Sequence, residues 1–159
     1  MAIEIYTDGS AKGNPGKGGY GIVIKNKDNY LEISNGYRLT TNNRMELLAV
    51  IVALEKLENT NEDIIITSDS KYVIDAVTKG WVFNWQRKGF KKKKNSDLWK
   101  RFLKVHHKYK IKFVWVPGHS GHIENERCDE LAVNASLHEE LEVDVYFENS
   151  RKEPPSLFS

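Results

Sequence analysis

Hydrophobic and polar residues alternate at the start of the chain: Ile3, Ile5 and Thr7 against Glu4, Tyr6 and Asp8. A period of two marks a half-buried strand, and Asp8-Gly9-Ser10 ends it with turn-forming residues. Gly13-Asn14-Pro15-Gly16 predicts a tight turn, with further glycines at 18, 19 and 21. Strands follow over residues 20–25 and 30–37, separated by Asp28-Asn29, which predicts an antiparallel meander. The period then changes. Thr40 or Thr41 caps a helix over about 42–57, apolar on every face between Leu47 and Leu54 and so expected to be buried.

Residues 64–67 form a short β-branched strand, and Ser68-Asp69-Ser70 joins it to a helix that Gly80 stops. Residues 81–90 are aromatic and basic, Ser96 or Asp97 caps a further helix to about His107, and a fifth strand spans 111–116. A Gly/His loop leads into a last helix over about 124–137. The order βββαβα…αβα predicts an α/β fold with a mixed five-stranded sheet flanked by helices. We expect one domain over 1–146, with a tail over 147–159 that does not fold.

At 159 residues the chain suits one domain, and no apolar run approaches the roughly 18 residues of a membrane span. Glu4 sits where a signal peptide would need basic and then apolar residues. The single cysteine, Cys128, cannot form an internal disulfide, and there is no Cys/His set for zinc. A cytoplasmic protein is expected. The net charge of +2 conceals an asymmetry: residues 79–101 carry +8 and the remainder −6. The first figure suggests a polyanionic partner, and the second limits where it can touch.

Taken singly, the notable acids have ordinary uses. Asp8 can form a turn, Glu46 can complement a helix dipole, Asp69 can cap a helix, and Asp129 can sit on a solvated face. Together they suggest more. If the strands ending at Asp8 and Asp69 are parallel neighbours, both carboxylates emerge at one edge, and Glu46 enters from a helix at the same end. Carboxylates within ~4 Å repel by several kcal/mol unless a proton or cation intervenes. Oxygen donors favour magnesium or manganese over zinc, and a pair of such ions is an apparatus of in-line phosphoryl chemistry.

Five motifs then occur in order: Asp8-Gly9-Ser10; Gly13-Asn14-Pro15-Gly16; Asn42-Asn43-Arg44-Met45-Glu46-Leu47; Ser68-Asp69-Ser70-Lys71-Tyr72-Val73; and Gly118-His119 running on through Glu126, Cys128 and Asp129 to Ala132. With them the chain resembles a bacterial type 1 ribonuclease H from Ile3 to about Leu141. The resemblance implies that Asp8, Glu46, Asp69 and Asp129 are catalytic carboxylates holding two Mg2+ ions, with Mn2+ a possible substitute. It implies that the loop residue His119 assists proton transfer or product release, and that Glu126 lies near the ribose 2′-hydroxyl. The implied partner is an RNA–DNA hybrid whose RNA strand is cut to 5′-phosphate and 3′-hydroxyl ends.

Substrate contacts are expected from Asn14 and Thr41 at a DNA-phosphate pocket, and from Asn42 and Asn43 at a helix start, where N–H donors favour phosphate. Arg44, Ser70, Lys71, Trp81 and Lys88 complete the expected set. Leu39 stands where many bacterial members carry Arg, and Lys71 where many carry Gln. The basic stretch at about 80–99 corresponds to the family's hybrid-holding protrusion, with Trp85 and Trp99 assigned to packing. A monomer without a membrane or an obligatory protein partner is expected. The rival readings are a non-catalytic binder of hybrid or duplex RNA, a related DNA strand-transfer nuclease, and a piece of a larger polymerase. Four acids that would repel phosphate argue against the first, the chain length against the second, and Met1 with a complete last helix against the third.

Overall fold

The computed structural model describes residues 2–118 and 121–151. Strands β1 (Ile3–Lys12), β2 (Gly16–Asn26) and β3 (Asn29–Thr40) form the meander, and α1 (Asn42–Lys56) leads to β4 (Asp63–Ser68). Helices α2 (Lys71–Thr78), α3 (Trp81–Arg87) and α4 (Ser96–His106) precede β5 (Lys110–Trp115), and α5 (Ile123–Ser136) and α6 (Val145–Ser150) close the chain. The sheet order is β3-β2-β1-β4-β5. Pairing is antiparallel from β1 to β2 and β2 to β3, and parallel from β1 to β4 and β4 to β5.

The expected stop at Asp8-Gly9-Ser10 does not occur. β1 stays paired with β2 through Asp8↔Gly21 as far as Lys12↔Lys17, whereas its parallel pairing with β4 ends at Tyr6↔Thr67. The small residues serve close packing. A Cβ on Gly9 would strike the α1 backbone at Met45 and Glu46, and one on Gly21 would strike the α5 carbonyl of Cys128. Gly21 pairs with Asp8, whose side chain leaves the sheet on the face opposite to that where a Cβ on Gly9 would stand. The two helices therefore cover opposite faces of the sheet.

The core lies between sheet and helices. Ile5, Ile22, Met45, Leu47, Ile51, Leu54, Ile64, Ile66, Trp99 and Phe102 are fully buried, and each contributes about 1.5–3 kcal/mol of burial. Trp99 packs edge-on against Trp85 at 5.8 Å and Phe102 at 5.5 Å, and its indole N–H donates to Tyr72 Oη at 2.8 Å. These contacts root the basic protrusion in α4. Gly80, at φ +76°, breaks the chain between α2 and α3, a helix that the basic–aromatic composition of this stretch masked.

The reading of residues 147–159 as an unfolded tail is corrected over its first residues. Asp144 caps α6, and Glu148 forms a two-pronged ion pair with Arg38 at 2.8 Å. Residues 152–159 lie outside the described part.

Candidate active site

Three carboxylates converge where β1 and β4 part. Oxygens of Asp8, Glu46 and Asp69 lie within 4.8 Å of one another. Asp8 stands two residues beyond the last β1–β4 pair, Asp69 directly follows β4, and Glu46 projects from the buried face of α1. The cap of α2 falls on Ser70, whose hydroxyl accepts from Val73 N at 3.2 Å, so Asp69 is free of the capping role its position suggested. The Gly9 amide donates to Asp8 Oδ1 at 2.9 Å and also to Glu46 Oε1, fixing both carboxylates from one backbone position.

Burial works against charge here. Asp8 is pushed up to about 7, first by burial and further by the charges of Asp69 and Asp129. Glu46 is raised well above the usual carboxylate range, chiefly by burial and then by the charge of Asp8. Such a cluster can take up protons or a cation. Its donors are all oxygens, which fits a hard divalent ion.

Asp129 is not within the three-carboxylate spacing. It shares a cavity of about 20 Å³ with Asp8, Asp69, His122, Asn125 and Glu126, the size of one water. His119 lies outside the described residues. Sequence reasoning missed Asn125, whose buried Oδ1 has no hydrogen-bond partner and which lines this cavity. It also missed Trp115, whose indole N–H donates to the Asp69 carbonyl at 3.1 Å while the Lys71 ammonium lies 4.5 Å from the ring centre. Asn125 stands inside the last of the five motifs, but beside Glu124 and Glu126 it read as a solvated helix position and drew no role of its own. The tryptophan read only as a strand residue.

The expected substrate residues fall into three groups. Asn42, Asn43, Ser70 and Lys71 join the three carboxylates around an open hollow of about 350 Å³. Asn14, Thr41 and Asn43 border a larger one of about 530 Å³. Thr41 also caps α1, accepting from Arg44 N at 3.2 Å, and Asn14 Oδ1 accepts from Asn42 N at 3.3 Å. Lys88 lines a third hollow with Trp85, Lys91 and Lys93, and the exposed Trp81 carries Lys79 5.3 Å over its ring. Glu126 lies at the small cavity beside Asp129.

Arg44 is a correction. Its guanidinium is buried and spent on structure, bonded to Asp97 at 2.8 and 2.7 Å, to Asp144 at 2.8 and 3.0 Å, and to Asn95 at 3.3 Å. With its donors committed it has none to offer a substrate. Its place in an asparagine-rich helix start suggested contact, but the partners lie 51 to 100 residues away and could not be paired from sequence.

A meander followed by two parallel strands, with carboxylates gathered at the divergence of β1 and β4, makes an α/β protein with an all-oxygen site at its sheet edge, of a kind suited to hard divalent ions. The RNase H family model matches residues 1–137, and the chain belongs to the ribonuclease H family. A ribonuclease H from Trichodesmium erythraeum is 52% identical over 151 residues, covering 92% of this chain and 96% of that protein. One from Klebsiella pneumoniae is 51% identical over 145 residues, covering 88% and 92%. Among solved structures, LC9-RNase H1, a type 1 RNase H with the type 2 active-site motif, matches at a TM-score of 0.76 and 28% identity, covering 95% of this chain and 81% of that one. LC11-RNase H1 in complex with RNA/DNA hybrid matches at 0.59 and 32%, covering 84% and 95%. The mixed sheet agrees with the expected fold. No helix among the described residues is long and apolar enough to cross a membrane.

Proposed function

We propose that this protein hydrolyses the RNA strand of RNA–DNA hybrids endonucleolytically, leaving 5′-phosphate and 3′-hydroxyl ends. The observation that carries the reading is the meeting of Asp8, Glu46 and Asp69 within 4.8 Å in a ribonuclease H chain. These three, with Asp129 from α5, would hold divalent cations, magnesium in the first instance and manganese as a substitute. When bound, such ions supply Lewis acidity and the means to ionise water at neutral pH.

The chain's own part is positioning. The Gly9 amide sets Asp8 and Glu46 in advance, and Trp115 holds the backbone of Asp69. At the start of α1 the Asn43 backbone N–H and the side-chain amides of Asn42 and Asn43 offer donors to a backbone phosphate, the Asn42 and Arg44 N–H groups being taken by Asn14 and Thr41. Asn14 and Thr41 border the neighbouring hollow, where a second phosphate is held. Glu126 faces the 2′-hydroxyl that separates RNA from DNA, and His119 assists proton transfer or product release. Lysines of the protrusion read charge and shape and not sequence. The protein acts as a cytoplasmic monomer.

The test is an end-labelled RNA–DNA hybrid incubated with magnesium or chelator, beside the Asp8→Asn variant. Magnesium-dependent cutting of the RNA strand alone, lost in the variant, is expected. Tight binding without cleavage under both magnesium and manganese would reduce the protein to a binding module.

A further inference from the structure

Three hollows on the surface lie in series, each sharing a lining residue with the next. Asn43 borders both the carboxylate hollow and the cavity of about 530 Å³, and Lys93 borders both that cavity and the Trp85–Lys88–Lys91 hollow. The middle cavity therefore links the cleaving centre to the basic protrusion. One wall is the turn at Asn14 and the start of α1, and another is Lys93 and Lys94. The remaining wall is α6, through Tyr146, Phe147, Ser150 and Arg151. Nothing in the sequence assigned α6 a part in binding, since all but its first two residues fell within the expected tail.

The charges of this cavity differ in what they can do. Arg44 at its floor is cancelled by Asp97 and Asp144 and attracts nothing further. Arg151 lies over the Phe147 ring at 5.5 Å and Lys93 over the Trp85 ring at 5.2 Å, contacts that orient each cation without neutralising it. Among the described residues neither they nor Lys94 takes part in an ion pair. The α6 wall is also held in place. Asp144 caps it from the Arg44 network, Glu148 binds Arg38, and Tyr146 Oη lies 3.3 Å from Ser96 Oγ. A fixed wall that carries Arg151 toward Lys93 and Lys94 across the hollow is suited to a polyanionic backbone.

The geometry points to α6 as a third wall of the hybrid-binding track, with Arg151 contacting a backbone phosphate midway between the carboxylates and the protrusion. This rests on the hybrid-cleaving reading above. Binding of a labelled RNA–DNA hybrid, measured in chelator across a salt series, tests it. Arg151→Ala is expected to weaken binding severalfold at low salt and make the log–log salt slope shallower by about 0.9, the loss of one phosphate contact. Arg151→Lys is expected to keep the slope, and in magnesium the loss is expected in KM. Ser150→Glu places a negative charge on the same wall without touching Arg151 and is expected to weaken binding in the same direction; it serves if Arg151→Ala melts early. Affinity and slope equal to wild type in both folded variants would overturn the α6 assignment alone. A wild-type protein that neither binds nor cuts the hybrid would overturn the underlying reading.

Discussion

Replacing Asp8 by Asn should make the metal-free protein more stable, although it should abolish cleavage. Asp8 is buried and pushed up from 3.8 to about 7, so folding disfavours its charged form. At about 1.36 kcal/mol per pKa unit, the shift corresponds to about 4 kcal/mol of folding free energy withheld once the carboxylate ionises. The direction follows from the two states. Below pH 3.8 both folded and unfolded chains carry the proton and nothing is lost. Between 3.8 and about 7 the unfolded chain ionises while the folded chain holds its proton, so stability falls as pH rises. Above that the deficit is constant. Asn stays neutral throughout, keeps an oxygen for the Gly9 amide, and offers an N–H toward Glu46. Urea denaturation in chelator should show the variant ahead by about 2–4 kcal/mol at pH 8, with the gap closing below pH 4. Magnesium should narrow it at pH 8 by stabilising only the wild-type site. Equal stabilities at pH 8, or a gap of the same size at pH 4, would refute the argument that burial and like charge strain this site.

Arg44→Leu strands the carboxylates of Asp97 and Asp144 and should cost about 3–5 kcal/mol in chemical denaturation, a loss too large for a surface substrate contact. Hybrid affinity should fall with a log–log salt slope of roughly −4 if the protrusion and the adjoining track meet ~5 phosphates, and a slope near zero would remove them from binding. Gly21→Ala should destabilise by about 1–3 kcal/mol, because the added methyl meets the α5 backbone and not a movable side chain, as a thermal melt would show.

Much of this was legible in the chain, for reasons that differ by residue. Period-two and apolar runs place β4, β5 and the buried α1, because side-chain burial against one sheet imposes them. Asp8 and Asp69 could be grouped because parallel pairing of their strands needs only topology, even though β1 runs on past Asp8, and Glu46 because it lies early in the helix that follows the meander. Close approach was hidden. Gly18 and Gly19 look like turn residues in sequence, yet they lie within β2, at positions where a helix and neighbouring strands leave no room for a Cβ. The cap of α2 fell on Ser70, not on Asp69, a choice of one residue that only backbone geometry decides. Arg44 was misread because its partners arrive from α4 and from the segment before α6, far along the chain.

The protrusion is fastened at both ends. The edge-on contact of Trp85 with Trp99 secures its first limb, the bond from Arg44 to Asn95 secures the return, and residues 88–94 span the interval with Phe90 tucked into the core. Of these, Phe90 and Lys92 already adopt left-handed backbone, as short irregular connections do. Residues added to or removed from this interval would change the arm's reach, at an entropic cost that grows only slowly with length, and leave both moorings intact. Arg44 is two positions from Glu46, so the mooring and the carboxylate are set by the same turn of one helix. The arm is thus an interchangeable fitting beside a fixed carboxylate site, and under the proposed function selection can retune grip on the duplex without re-aligning the carboxylates.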